Sequence, residues 1–180
     1  MHHLSDKAKT RIRAYGAYVA EALAFVVILA GVYAYQTRNL LPSGGQPAPV
    51  LRGLTLDGER VDLRSDGAPT TLIYFFAPWC RVCAASSHNL RQLRRIRSDQ
   101  QLRILLVALD WQTAAEVQDY VERHDIALPV LLGDRKIAND WNIYAYPTYY
   151  MLNGSQQIVR RDLGYSTLAG LWWRSGGFDR

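Results

Sequence analysis

Cysteine is scarce in this chain of 180 residues: there are two, Cys80 and Cys83. One close pair excludes the disulfide framework that holds many small secreted domains together. It also leaves a cysteine-based zinc site two ligands short. Charge is nearly missing from a long N-terminal run: between Ala14 and Tyr35 the only charged residue is Glu21. A strong charge of either sign is missing from the remainder. The formal net charge is +5; the first thirteen residues hold +3, Glu21 removes one, and everything after it carries +3. So mild a balance gives no case for nucleic-acid binding and reads as a solvated, mixed-charge surface. Internal repeats are absent, and low complexity is confined to a Pro/Gly-rich stretch before residue 50. With 49% hydrophobic content, the length allows one domain of ordinary size plus a short appendage.

The two cysteines lie in Ala77-Pro78-Trp79-Cys80-Arg81-Val82-Cys83. Thr70-Thr71-Leu72-Ile73-Tyr74-Phe75-Phe76 precedes them and reads as a strand buried on both faces. Cys83, Leu90, Leu93 and Ile96 follow at helical spacing. The pair therefore sits where a buried strand turns into a helix. Backbone N–H groups at a helix N-terminus stabilise a thiolate, and Arg81 adds positive charge between the cysteines. Cysteines separated by two residues at a helix start can close a disulfide ring and reopen it by thiolate attack. The alternatives for the same pair are a static disulfide and half of a zinc site.

Trp-Cys-x-x-Cys after a buried strand resembles the active site of the thioredoxin superfamily. The rest of the chain, taken in order, extends that resemblance. Met1 to Arg13 is polar and basic, with the sign expected of a cytoplasmic N-terminus. Residues 14–35 form an apolar run long enough to cross a bilayer, given that about 20 residues suffice. Tyr15, Tyr18, Tyr33 and Tyr35 lie towards its ends, where aromatic rings favour the interface. An uncleaved anchor is the expected reading; a signal peptide cut after Ala34 is the alternative, and the length of the run favours the anchor. Lys7, Lys9, Arg11 and Arg13 precede the run and only Arg38 follows closely, so the C-terminal domain is expected on the far side of the membrane. In a bacterial cell that is the periplasm, with the anchor in the inner (cytoplasmic) membrane. Glu21 is expected near the cytoplasmic headgroups, with a partner or polar pathway within the membrane as its alternative.

Residues 36–46 are expected to be a linker, part of a tether running to Pro49. Val50 to Leu63 alternates around Asp57-Gly58, which signals a β-hairpin. Ser65 to Pro69 reads as a loop into the first central strand. Gln101 to Leu109 reads as a second buried strand, followed by a helix capped by Thr113 and running through Val117, Tyr120 and Val121. A short strand is expected over Ile126–Leu132, a short helix over Ala138–Ile143, a strand over Thr148–Leu152, its hairpin partner over Gln157–Arg161, and an amphipathic helix over Thr167–Arg174.

This order predicts an α/β domain over residues 47–178, a central sheet with helices on both faces. An N-terminal hairpin and an inserted helix–strand unit go beyond a minimal thioredoxin, and one transmembrane helix precedes the domain. With Trp79-Cys80-x-x-Cys83, Tyr146-Pro147-Thr148 and the Asp57-Gly58 hairpin, the chain resembles the TlpA/ResA-like thioredoxins of bacterial envelopes. Tyr-Phe-Phe-Ala-Pro-Trp-Cys and Ala-Tyr-Pro-Thr-Tyr-Tyr also look similar to the subgroup associated with suppression of copper sensitivity.

The resemblance implies a membrane-anchored thiol–disulfide oxidoreductase. Its partners would be protein disulfides or dithiols of the cell envelope and a membrane electron donor or oxidant. It implies no cofactor beyond the Cys80–Cys83 pair, and no metal site. Cys80, nearest the helix N-terminus, is expected as the attacking thiolate and Cys83, one turn on, as the shielded resolving thiol. Trp79 is expected to pack beside the pair and screen it. Pro147 matches the cis-proline that faces the dithiol in the superfamily, leaving the backbone of Tyr146, with Thr148 next to it, to pair with a substrate strand.

Two residues that the family commonly has are missing. Tyr74 stands where many thioredoxins place a buried Asp, so Asp110 is the candidate proton acceptor for Cys83, with loop capping as its alternative. His88 stands where the family helix often carries a kinking Pro. A copper-binding module on the same fold is the alternative function, although copper-delivery relatives use a wider cysteine spacing and a dedicated downstream His. Here His124 reads as a helix-end residue. A peroxidase would call for a Thr-x-x-Cys environment, which this motif lacks.

Overall fold

A computed structural model describes residues 3–63 and 70–176. The loop expected over Ser65–Pro69 lies outside the described residues. The chain divides into two compact units, Met1–Arg38 and Asn39–Arg180. The first unit is one helix, α1 (His3–Thr37). Within it Tyr18–Thr37, mean hydropathy 1.8, is long and apolar enough to cross a membrane. Twenty residues without proline and with one carboxylate keep the backbone ladder unbroken, and Leu23, Phe25, Val26, Val27 and Ile28 leave their side chains exposed.

The second unit is built on five strands in the order β5-β4-β3-β6-β7. Central β3 (Thr71–Phe76) is buried at all six positions, as its unbroken apolar run predicts. It runs parallel to β4 (Arg103–Ala108), with Thr71 opposite Arg103 and Phe76 opposite Ala108. β5 (Val130–Leu132) runs parallel to β4, β6 (Thr148–Leu152) antiparallel to β3, and β7 (Ile158–Leu163) antiparallel to β6. Leu72, Tyr74 and Phe76 point to a core shared with α2 (Arg81–Ile96), α3 (Ala114–Arg123) and α5 (Leu168–Ser175). Ile73 and Phe75 point the other way, to a core with Trp141, Tyr150 and Ile137 of α4 (Arg135–Asp140). The period-two alternation of the strand thus feeds both layers.

Both sheet edges are covered, as unpaired edges invite association. At one edge lies the predicted hairpin, β1 (Arg52–Leu54) and β2 (Arg60–Asp62). Gly58 takes φ +81° in its turn, a conformation that glycine adopts freely. Leu56 N–H donates to the Val130 carbonyl at 2.7 Å, attaching the hairpin to β5. At the other edge lie residues expected to be free linker. Gly45 and Ala48 donate to Ile158 and Gln156 carbonyls, Ile158 donates back to Gln46, and Leu40 and Ala48 are buried. Residues 39–46 therefore belong to the domain, because β7 offers backbone groups that the Pro/Gly-rich segment can satisfy.

Other elements shift for local reasons. Asp134, expected to end a strand, is an N-cap accepting from Ile137 N–H at 2.8 Å, so α4 starts three residues earlier than predicted. The strand expected over 126–132 is confined to Val130–Leu132: Ile126 N–H is spent on Val121 C=O, and Pro129 has no N–H to give. β7 runs two residues past its predicted end, to Leu163. Thr113 and Thr167 cap α3 and α5, each accepting from the N–H three residues on. Ile96, the last residue of α2, is exposed rather than buried. Gly133 closes β5 because a Cβ there would come within 2.7 Å of Leu109 and 2.8 Å of Val107.

Candidate active site

β3 delivers the chain into a tight turn in which Cys80 N–H donates to Ala77 C=O at 3.0 Å. Cys80 then caps α2: its backbone is extended, and its sulfur accepts the Cys83 N–H at 3.1 Å. The motif's spacing is what closes this ring, since a cap acceptor reaches the N–H three residues on. Cys80 and Cys83 form a disulfide with Cα atoms 5.2 Å apart. They are unequal in access. Cys80 keeps 8% of its surface exposed and Cys83 none. Reduced, Cys80 would be the sulfur that meets both the helix N-terminus and solvent, the two conditions for a reactive thiolate. Arg81 is exposed in the first turn of the helix.

Behind the pair the wall is made of hydroxyls. Tyr74 O–H donates to the Cys83 carbonyl at 3.0 Å, and Ser87 O–H donates to the same oxygen at 2.9 Å. Ser87 is in turn 3.2 Å from the hydroxyl of Tyr120. All three side chains are buried. Burial, with the neighbouring Tyr149 and Tyr120, pushes the Tyr74 hydroxyl well above the usual phenol range. It therefore stays protonated and acts as a donor, not as a base for Cys83. Ser87 and Tyr120 escape a reading of the sequence because they sit in a helix pattern as ordinary polar and apolar positions; the small residues Ala84 to Ser87 on the helix are the only sign that something packs closely there.

At the entry to β6, the Tyr146–Pro147 peptide bond is cis, as the motif implies. Pro147 is buried, and its carbonyl accepts the Gly164 N–H at 2.8 Å. Tyr146 is half-buried. Thr148, expected beside the substrate, turns into the core: it is fully buried and its hydroxyl donates to Ala145 C=O at 2.8 Å, closing the turn before β6. Trp79 is 63% exposed; its indole N–H donates to the Asp110 carbonyl at 3.2 Å, and its ring meets that of Tyr146 at 5.8 Å, nearly perpendicular. The carboxylate of Asp110 accepts from the Tyr146 hydroxyl at 3.0 Å, so its partner is Tyr146 rather than Cys83. Burial and this carboxylate together raise the Tyr146 pKa well above the phenol range.

His88 and His124 engage residues other than the pair. His88 is exposed on α2 and bonds Arg91 and Gln92, three and four residues on along the helix. His124 ends α3 with its ring edge-on to Tyr120; burial, then Arg123 and Arg91, hold its pKa below the usual imidazole value. Among the described residues no three His, Cys, Asp or Glu side chains cluster as a metal site would require.

The AhpC/TSA family profile matches residues 44–161. The thioredoxin-like protein YneN of Bacillus subtilis is 28% identical over 141 residues, 74% of this chain and 80% of that protein. The thiol–disulfide oxidoreductase ResA of Bacillus cereus is 21% identical over 124 residues, 68% of this chain and 71% of that one. Among solved structures, the thioredoxin domain of a Bacteroides vulgatus thiol–disulfide oxidoreductase superposes with a TM-score of 0.66 at 19% identity, covering 74% of this chain and 97% of the other. StoA of Bacillus subtilis does so with a TM-score of 0.61 at 20% identity, covering 72% and 96%. At those identities the superpositions establish the fold. The sequence match over residues 44–161 places the chain in the AhpC/TSA family, and with its cysteine pair at disulfide distance it is a thioredoxin-like thiol–disulfide oxidoreductase of that family.

Proposed function

We propose that the chain is a single-pass protein of the bacterial inner membrane, N-terminus cytoplasmic, whose periplasmic domain reduces or exchanges disulfides in envelope proteins. The observation that carries the reaction is the asymmetry of the pair: Cys80 Sγ caps the helix N-terminus and Cys80 keeps 8% of its surface exposed, whereas Cys83 lies fully buried one turn on. In the dithiol form the Cys80 thiolate attacks a substrate disulfide. A Cys80–substrate disulfide forms, and the substrate's other sulfur leaves as a thiolate that takes up a proton. Cys83 then gives up its proton and attacks the Cys80 sulfur. The Cys80–Cys83 disulfide forms, and the second substrate thiolate is released. Two electrons pass from the pair to the substrate, and the sulfurs themselves are the redox group. A membrane electron donor returns the pair to the dithiol; an oxidant there would run the cycle in reverse.

The membrane reading rests on the apolar helix over Tyr18–Thr37 and on the four basic residues before it. The test of the reaction is disulfide reduction by the full-length protein in detergent, with insulin as substrate and a dithiol as electron source. Turnover that is lost in Cys80→Ser supports the reading; a rate equal to that of the dithiol alone contradicts it.

A further inference from the structure

Charge is unevenly placed on the domain. The helices α2 and α5 pack on each other and carry Arg81, Arg91, Arg94, Arg95 and Arg174 without one Asp or Glu, and Arg97 follows as the C-cap of α2. From Asn39 onward the formal charge is +2, so these six arginines leave −4 to the rest of the domain. Arg91, Arg94 and Arg174 are tied to Asp125, Asp99 and Asp162. At the far end of α2, Arg95 is exposed, and neither it nor Arg97 meets a carboxylate among the described residues. Arg97 lays its guanidinium over the Trp172 ring, 5.8 Å from the centroid. Beside these two cations Ile96, Trp172 and Trp173 are exposed. Leu171 and Ser175 are the buried side of α5, and at about 100° per residue Trp173 falls opposite them.

The entry of the chain into the domain is a second, independent observation. Only Arg38 and Asn39 stand between Thr37, the last residue of α1, and Leu40, which is already buried in the domain. No free spacer is left there to lift the domain off a bilayer. One strand links this entry to α5. Arg161 of β7 donates to the carbonyls of Leu40 and Leu41, and the next residue, Asp162, pairs with Arg174 of α5. Consecutive strand residues point to opposite faces, so the entry segment and α5 flank β7 on its two sides.

We propose that the face made by Arg95, Ile96, Arg97, Trp172 and Trp173 docks on the surface of the bilayer that holds α1, with the arginines on anionic phospholipid headgroups and the indoles at the boundary between headgroups and acyl chains. The residue types fit that occupant. An indole has an apolar body and one polar N–H, and it settles at this boundary. Uncommitted arginines beside it are drawn to anionic lipid. The dithiol stays open in the docked state. Cys80 caps the start of α2 and Ile96 ends it, 16 residues or about 24 Å on. Docking therefore occupies the end of the helix remote from the pair.

The inference rests on the membrane reading of α1 and is tested separately from it. Full-length protein is reconstituted into vesicles of phosphatidylcholine, alone or mixed in equal parts with phosphatidylglycerol, with some lipids brominated on their acyl chains to quench nearby tryptophan. The five tryptophans, Trp79, Trp111, Trp141, Trp172 and Trp173, all lie beyond α1, so their fluorescence reports on the domain and not on the anchor. Quenching is expected in the mixed vesicles, and it falls at high salt and in phosphatidylcholine alone. Arg95→Gln and Arg97→Gln each lower the ratio of docked to undocked domain about fivefold. Both variants reduce insulin in detergent at the wild-type rate, which shows that they fold. Trp79→Phe keeps the quenching, and Trp172→Phe with Trp173→Phe removes it. Protein that floats with the mixed vesicles without quenching, or is quenched equally at high salt and in phosphatidylcholine, refutes docking while the anchor stands. Quenching that disappears in Trp79→Phe refutes it too, because the pair would then face the bilayer. A dimer in detergent that Trp172→Ser with Trp173→Ser separates assigns the face to a second copy and overturns the proposal. If the protein does not float with the vesicles, the membrane reading fails and the inference falls with it.

Discussion

The hydroxyl of Tyr74, on β3, donates a hydrogen bond to the carbonyl oxygen of Cys83, in the first turn of α2, at 3.0 Å. It joins the last part of the buried strand to the start of the helix that carries the pair. Ser87 reinforces it on the same oxygen. Where a buried carboxylate is common in related folds, this chain has neutral donors, and Tyr74 holds Cys83 by its backbone.

Tyr74→Phe removes one buried hydrogen bond and leaves the ring's packing on Phe76 and Tyr149 in place. The expected loss of stability is about 1 kcal/mol, measured by chemical denaturation. The pH dependence of disulfide exchange should not move. The Tyr74 hydroxyl is shifted upward and stays protonated through the working range, so its removal takes away no titrating group. A displaced pH profile in Tyr74→Phe would show that the hydroxyl relays protons.

Arg81→Glu replaces a positive charge in the first turn of α2 by a negative one. The Cys80 thiolate should become harder to form, and the reduction potential of the pair should fall, because thiolate stabilisation favours the reduced form. The side chain is exposed, so solvent and salt screen the effect and its direction is the content of the prediction. Thiolate absorbance against pH and equilibration against glutathione read both quantities. No change in either would assign thiolate stabilisation to the helix N-terminus alone.

Gly133→Ala should destabilise the domain by about 1–3 kcal/mol, the usual cost of overpacking a filled core. The added Cβ meets Leu109 and Val107 side chains and lies 3.0 Å from the Ala108 carbonyl oxygen, and the side chains cannot retreat in a core buried on both sides. A wild-type denaturation midpoint in this variant would mean that the β5 end relaxes freely.

Much of this arrangement is legible in the sequence, for identifiable reasons. The buried run from Thr71 to Phe76, the cysteine spacing and the Thr113 cap are local signals, and local physics decides them. Asp134 is misread because Gly-Asp looks like a turn, whether or not the Asp also opens a helix. Residues 39–48 look like a spacer because nothing local says that a sheet edge over one hundred residues away needs a partner. The same holds at the site. Cys80 and Cys83 are found by spacing. The tie from Asp110 to both Trp79 and Tyr146 joins three distant segments through one left-handed residue, at φ +50°.

The N-terminal helix should hold the full-length protein in the membrane. After expression in a bacterial host, the chain should remain in the pellet through alkaline extraction, and protease added to spheroplasts should reach the domain. Recovery of a soluble periplasmic form beginning near Tyr35 would show that the segment is removed as a signal.

The most direct test of the division of labour between Cys80 and Cys83 is trapping. Cys83→Ser should accumulate mixed disulfides between Cys80 and substrate proteins, seen as thiol-sensitive bands on non-reducing gels, because Cys80 can attack but nothing resolves the product. Cys80→Ser should accumulate few, because Cys83 is fully buried. Equal trapping by the two variants would contradict the assignment of Cys80 as attacker and Cys83 as resolver.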